Sequence, residues 1–240
     1  MKLLLIAALL ITTAVSAQTP EIIAGTGKSG FSGDGLPATV AKLRVPSDLF
    51  VTPDGSVYIA DTGNNRIRRV NPDGKIETIA GNGQRVFTTD GVKATEAGLM
   101  SPSSVAVDGA GNIYVAEWTG HRIRKIDKNG ILSTVAGNGE SGYEGENLPA
   151  TETSLNAPSR IFLDGKGNLF VAEFGSNRVR VVKPNGRIST VAGTGEKGFG
   201  GDGGKATGAL LDRPNGLFVT DTGEIYITDL GNNRVRHIDA

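Results

Sequence analysis

Four acidic residues stand 56 positions apart: Asp61, Glu117, Glu173 and Asp229. Four carboxylates meeting around one axis would offer oxygen ligands to a hard cation such as calcium. An arginine pair follows each of them: Arg66/Arg68, Arg122/Arg124, Arg178/Arg180 and Arg234/Arg236. The same carboxylates therefore have a simpler role, accepting hydrogen bonds from their own turn and from those guanidinium groups. Presence in every copy favours this second role, because a binding site ordinarily breaks a repeat's symmetry. A second acidic set, Asp34, Asp90, Glu146 and Asp202, follows Phe31, Phe87, Tyr143 and Phe199. There the aromatic ring is expected to pack inward and the carboxylate to cap free backbone amides. The spacing fits no EF-hand loop.

Two positions do break the symmetry. The second residue after each of the marker prolines Pro46, Pro102, Pro158 and Pro214 reads Asp48, Ser104, Arg160 and Gly216. Asp48, Ser104 and Arg160 together would bind a polar ligand or position a water. The residue after each member of the first acidic set reads Thr62, Trp118, Phe174 and Leu230. Trp118 is the single tryptophan, and Trp118 with Phe174 at a rim suits carbohydrate or peptide contact. Other chemistries find no residues. The chain has no cysteine, which excludes thiolate catalysis and thiolate metal sites, and its two histidines, His121 and His237, stand at unrelated phases of the repeat. A zinc set would need three or four ligands. Gly25 to Gly30 fits a glycine-rich dinucleotide pattern, but it follows an antiparallel strand, opens no helix and recurs at Gly137 and Gly193.

The elements that position these residues follow from the repeat. Each 56-residue copy holds four short apolar or alternating runs, such as Leu49–Val51, Ser56–Ala60, Arg66–Val70 and Lys75–Ile79. Turns separate the runs: a glycine at 55, 111, 167 and 223, then Asp73-Gly74, Asn129-Gly130 and Asn185-Gly186. Asp-Gly and Asn-Gly tolerate the positive φ of tight hairpins. The long connection after the fourth run is expected to hold one helical turn near Ala94 to Leu99. A four-stranded antiparallel unit repeated at this length predicts an all-β fold, a β-propeller whose blades bury their faces against one another. The last copy stops after its third run. Glu21-Ile22-Ile23-Ala24-Gly25 matches the missing fourth run, since Ile79-Ala80-Gly81, Val135-Ala136-Gly137 and Val191-Ala192-Gly193 follow at the same period. Four blades are expected, the last closed by the N-terminal strand.

Composition sets the compartment and excludes some partners. Lys2, the apolar run Leu3 to Val15 and the small residues of Val15-Ser16-Ala17 form the pattern of a secretory signal peptide over 1–17. Residues 18–240 are then one exported propeller, secreted or periplasmic, with no membrane span. The chain carries 25 basic and 25 acidic residues. That balance argues against a nucleic-acid or anionic-membrane binder, which needs a basic excess.

The segments Ile59-Ala60-Asp61-Thr62-Gly63-Asn64-Asn65-Arg66-Ile67-Arg68 and Ile227-Thr228-Asp229-Leu230-Gly231-Asn232-Asn233-Arg234-Val235-Arg236 resemble the NHL repeat. The stretch Ala24 to Thr39, with Phe31-Ser32-Gly33-Asp34-Gly35, is similar to the linker of exported bacterial NHL-repeat proteins. The resemblance implies a β-propeller and a family whose members are interaction scaffolds, RNA binders, lyases and lactonases. Such propellers usually have six blades, so four imply a small closed ring, missing copies, or self-association of two chains. The expected function is a non-catalytic binding scaffold for a protein, peptide or carbohydrate ligand at the rim, with no cofactor. The alternative is a lactonase- or hydrolase-like enzyme at the channel mouth, with Ca2+ held by carboxylates and Asp48 assisting.

Overall fold

The computed structural model describes residues 19–240, so the expected signal peptide over 1–17 lies outside the described residues. Every regular element in it is a short strand or a single 3-10 turn. Blade 1 holds β1 (Pro46–Val51), β2 (Val57–Asp61), β3 (Arg66–Val70) and β4 (Ile76–Ala80). Blade 2 holds β5 (Pro102–Val107), β6 (Ile113–Glu117), β7 (Arg122–Ile126) and β8 (Leu132–Ala136). Blade 3 begins with a two-residue edge strand, β9 (Leu148–Pro149). It continues with β10 (Pro158–Leu163), β11 (Leu169–Glu173), β12 (Arg178–Val182) and β13 (Arg187–Ala192). Blade 4 holds β14 (Pro214–Val219), β15 (Ile225–Asp229) and β16 (Arg234–Ile238). All pairings between neighbouring strands are antiparallel and follow the order of the chain, except that β9 adds to the outer edge of β13.

The expected propeller of four antiparallel blades is therefore present. The hairpin turns have the anticipated chemistry: Gly74, Gly130 and Gly186 all have φ of 77°. Residues 94–97 form an irregular turn, whereas the same linker position in the other three copies is a 3-10 turn, at Ala38–Val40, Ala150–Glu152 and Ala206–Gly208.

The cores lie between blades. Phe50, Tyr58, Ala60 and Ile67 of blade 1 meet Val105, Val107 and Val115 of blade 2. The equivalent layers join blade 2 to blade 3 and blade 3 to blade 4. The first strands pack in sequence around the channel, β1 on β5, β5 on β10 and β10 on β14, but no comparable contact joins β14 to β1. The four blades thus form an arc. The expected closure by the N-terminal strand does not occur within the chain. Residues 21–25 have no strand partner, and the last sheet has three strands. The physical reason is anchoring. Gly25 N donates to Ala38 O at 2.9 Å and Thr26 N to Ala41 O at 2.9 Å, while Ala24 packs on the Ala38, Ala41, Val57 and Ile59 cluster of blade 1. The segment is held at the opposite end of the arc from β16.

Candidate channel-mouth site

The first strand of each blade carries a β-bulge directly after its proline, where the register with the second strand slips. A bulge re-aims the side chains on either side of it. The bulged residue is Ser47, Ser103, Ser159 or Asn215. Ser47 Oγ donates to Ser103 O (2.9 Å), Ser103 Oγ to Pro158 O (2.8 Å) and Ser159 Oγ to Pro214 O (3.0 Å). A hydroxyl ladder therefore stitches each blade to the next at the channel mouth. Asn215, at the end of the arc, is exposed. The sequence reading missed this ladder. Its signal was the recurrence of serine after three of the four prolines.

One residue further on, the structure joins the three residues picked out for breaking the symmetry. Ser104 Oγ donates to Asp48 Oδ2 at 2.6 Å, and Val105 N donates to the same oxygen at 3.1 Å. Leu49 N holds Asp48 Oδ1 at 2.7 Å, and Arg160 Nη1 closes an ion pair on that oxygen from blade 3. Ser104 Oγ in turn accepts Ile161 N at 3.1 Å. The Asp48 side chain is 3% exposed and that of Arg160 35%. Burial pulls the Arg160 guanidinium below its usual pKa. The fourth position adds no functional side chain: Gly216 N takes Thr228 Oγ1 at 2.5 Å, and a Cβ there would strike that hydroxyl.

Trp118 and Phe174 pack together, ring centroids 4.8 Å apart at 53°. Both are half-buried, and the Arg213 guanidinium lies 5.9 Å from the Phe174 ring. Trp118 and Arg160 line one cavity of about 610 Å³, which begins at the serines and runs along the open face of blade 4 past Phe218 and Tyr226. Arg160 also borders a second cavity of about 470 Å³ with Asp48 and Leu49.

The two acidic sets have structural roles. Asp61, Glu117, Glu173 and Asp229 are fully buried. Each accepts a linker amide, from Arg44, Met100, Asn156 and Asp212 respectively, at 2.7–2.9 Å. Each also faces an arginine on the third strand: Arg68 (3.5 Å), Arg124 (3.4 Å), Arg180 (3.8 Å) and Arg236 (3.2 Å). Burial pushes the Glu173 carboxyl up to about 7 and raises those of Asp61 and Glu117. In the second set, Asp90 and Glu146 accept the amides of Thr134 and Thr190, and Asp34 accepts the Thr78 hydroxyl. The expected inward packing of the neighbouring aromatics is wrong. Phe31, Phe87, Tyr143 and Phe199 are 39–46% exposed. Guanidinium groups of Arg66, Arg122, Arg178 and Arg234 lie 3.7–4.1 Å from their ring centroids. The arginines fill the space beneath the linker, so the rings stack on cations at the surface.

A divalent cation does not fit the mouth. Of positions 48, 104, 160 and 216 only Asp48 is acidic, and its oxygens are taken by Ser104, Arg160 and two amides. Among the described residues no group of three or more His, Asp or Glu side chains is placed to hold a metal ion.

Comparison with known proteins agrees with this architecture. The family model for the Teneurin NHL domain matches residues 11–71, 70–144 and 139–239. Mouse Teneurin-1 is 30% identical over 261 residues, which cover 95% of this chain and 9% of the relative. The chain thus spans about a tenth of that relative's length. Among solved structures, an auxiliary nutrient binding protein from Bacteroides thetaiotaomicron superposes with a TM-score of 0.62 at 16% identity, over 82% of this chain and 48% of that one. A gluconolactonase from Xanthomonas campestris superposes with a TM-score of 0.54 at 15% identity, over 78% and 55%. At these identities the structural likeness shows the fold alone. With its model matched across three overlapping segments and its repeats built as antiparallel blades, the chain belongs to the Teneurin NHL domain family.

Proposed function

We propose that this protein is an exported, non-catalytic binding module that receives a peptide or glycan at the channel mouth. One observation carries the reading: Asp48, Ser104 and Arg160, the residues that break the fourfold repeat, form one connected network, and its Arg160 lines the same cavity as Trp118. Asp48 fixes one corner of the Arg160 guanidinium. The part that remains exposed borders the cavity and can donate to a carbonyl, hydroxyl or carboxylate of a ligand. Trp118, backed by Phe174, supplies a rigid apolar face for a sugar ring or an aromatic side chain. Ser104 donates its hydroxyl to the Asp48 carboxylate but is fully buried, so this pair holds Asp48 in place rather than facing the cavity.

The test is a screen of glycan and peptide arrays with the purified chain, followed by calorimetry on Arg160→Ala and Trp118→Ala. Loss of binding in both variants supports the mouth as the site. A ligand bound with unchanged affinity by both would place recognition elsewhere. A stoichiometric divalent ion together with lactone hydrolysis would instead favour the lactonase-like alternative.

A further inference from the structure

Two arginines flank the aromatic pair of the channel mouth, and neither belongs to the repeat. Arg85 lies in the linker between blades 1 and 2, where the other copies carry Ser29, Ser141 and Lys197. Arg213 lies in the linker between blades 3 and 4, where the other copies carry Val45, Ser101 and Ala157. Side chains that build the blade recur in all four copies, as the buried carboxylates and their arginines do. Arg85 and Arg213 stand outside that requirement.

Their contacts run in one line through the mouth. Arg85 Nε donates to Thr119 Oγ1 at 3.3 Å. The residue before Thr119 is Trp118, whose ring packs on Phe174 with centroids 4.8 Å apart. The Arg213 guanidinium follows, 5.9 Å from the Phe174 ring. Two cations thus bracket two rings.

The two guanidinium groups are held in the same way. Each is anchored through Nε, Arg85 on Thr119 and Arg213 on Asp212 Oδ1 at 3.1 Å. Among the described residues neither donates a hydrogen bond from Nη1 or Nη2, and both side chains are exposed. The arginines of the blade differ. Arg66, Arg122 and Arg178 donate from both terminal nitrogens to backbone carbonyls. Arg68 and Arg124 donate from both to carboxylates and carbonyls. A guanidinium fixed at one corner, with its two outer nitrogens in solvent, presents the fork that a carboxylate accepts bidentately.

The charge is unbalanced there. Arg85 makes no ion pair among the described residues. Arg213 shares the single Asp212 carboxylate with Lys197, whose Nζ lies 3.6 Å from Oδ2. Each end of the aromatic pair therefore keeps one positive charge in surplus. The carboxylates next in sequence to the rings, Glu117 and Glu173, are fully buried, and Asp48 is paired with Arg160.

The backbone around the rings is already paired. Trp118 N donates to Ser101 O and Phe174 N to Ala157 O, both at 3.1 Å. Thr119 N donates to Met100 O at 3.3 Å and Gly175 N to Asn156 O at 3.0 Å. An extended peptide would find no free main-chain edge to pair with. Recognition falls to ring faces and guanidinium forks, which suit a sugar ring that carries a carboxylate.

We propose that the ligand of the mouth is an acidic oligosaccharide. Its uronate carboxylates dock on Arg85 and Arg213 while its rings lie against Trp118 and Phe174. That assignment depends on the mouth being the binding site, and it adds the charge and class of what binds.

The test is calorimetry on the purified chain with hexamers of galacturonic acid and of mannuronic acid. Each is compared with its methyl ester, which keeps the sugar rings and removes the charge, and a peptide of ten glutamates is the third probe. At least one acid should bind about tenfold or more tightly than its ester, and more weakly as salt is raised. Arg85→Gln and Arg213→Gln should each lower its affinity about tenfold. Lys166→Gln, in the exposed turn at the other end of blade 3, should leave the affinity unchanged. Equal binding of acid and ester, or wild-type affinity in both arginine variants, overturns the uronate assignment; if Trp118→Ala then loses the same ligand, the mouth itself stands. Failure of both acids to bind overturns the assignment as well. Tighter binding of the glutamate peptide overturns it in favour of an acidic protein ligand. Loss of binding in the arginine variants with full affinity in Trp118→Ala and Arg160→Ala defeats the ring contacts and the mouth reading together.

Discussion

Ser104 Oγ donates to Asp48 Oδ2 at 2.6 Å, and these two residues occupy the same position in successive copies of the repeat, 56 residues apart. Equivalent positions in a repeat usually carry equivalent side chains. Here one is an acceptor and the next a donor, and Arg160, the third, completes the charge balance.

Asp48→Ala removes the acceptor for Ser104, Val105 N and Arg160 at once. It should cost about 1–3 kcal/mol in urea unfolding and abolish ligand binding by releasing Arg160. Asp48→Asn keeps the shape and one acceptor oxygen, so its binding defect should exceed its stability defect.

Trp118→Ala should separate recognition from folding. The ring is half-buried and packs on Phe174, so its loss is expected to cost about 1 kcal/mol of stability beyond the lost burial while removing the ligand's stacking surface. A collapsed circular dichroism spectrum would show that Trp118 is part of the core and would defeat the rim assignment.

Stability should fall between mildly acidic and neutral pH. Burial raises Glu173 from 4.5 to about 7, so between those values the folded state keeps a proton that the unfolded state has released. The stabilisation from this group is full below 4.5 and is lost as pH rises through 7, amounting to roughly 3 kcal/mol. Asp61 and Glu117 shift in the same direction. Asp90 and Glu146 are shifted down, so their stabilisation is lost only at lower pH, as they become protonated. Urea midpoints at pH 5 and pH 8 should therefore differ, and Glu173→Gln should flatten the difference.

Arg124→Ala should be among the most damaging single changes. Its side chain is fully buried and faces both Glu117 and Asp90. Removing it strands the buried Glu117 carboxylate, at a cost of about 3–5 kcal/mol. Thermal unfolding measures the loss. A double variant with Glu117→Gln should recover part of it.

The sequence by itself determined the blade. Strand positions, hairpin turns and the arginine–carboxylate lock all follow from side chains a few residues apart, where alternation and positive-φ glycines act locally, and a 56-residue period copied that information unchanged. It also marked Asp48, Ser104 and Arg160 as unusual, because a repeat makes its exceptions visible. Only the tertiary structure decided that these three meet. That depends on how far each blade rotates from the last, which packing between faces sets over more than a hundred residues of chain. For the same reason the aromatics of the linkers ended on the surface: the space beneath them is filled by arginines from strands that lie 35–37 residues further on. The match of residues 21–25 to a fourth strand was legible locally, but its partner was not. Pairing needs β16 to lie alongside, and the arc leaves the two at opposite ends, because Ala24 and Gly25 are fastened to blade 1 by their own linker.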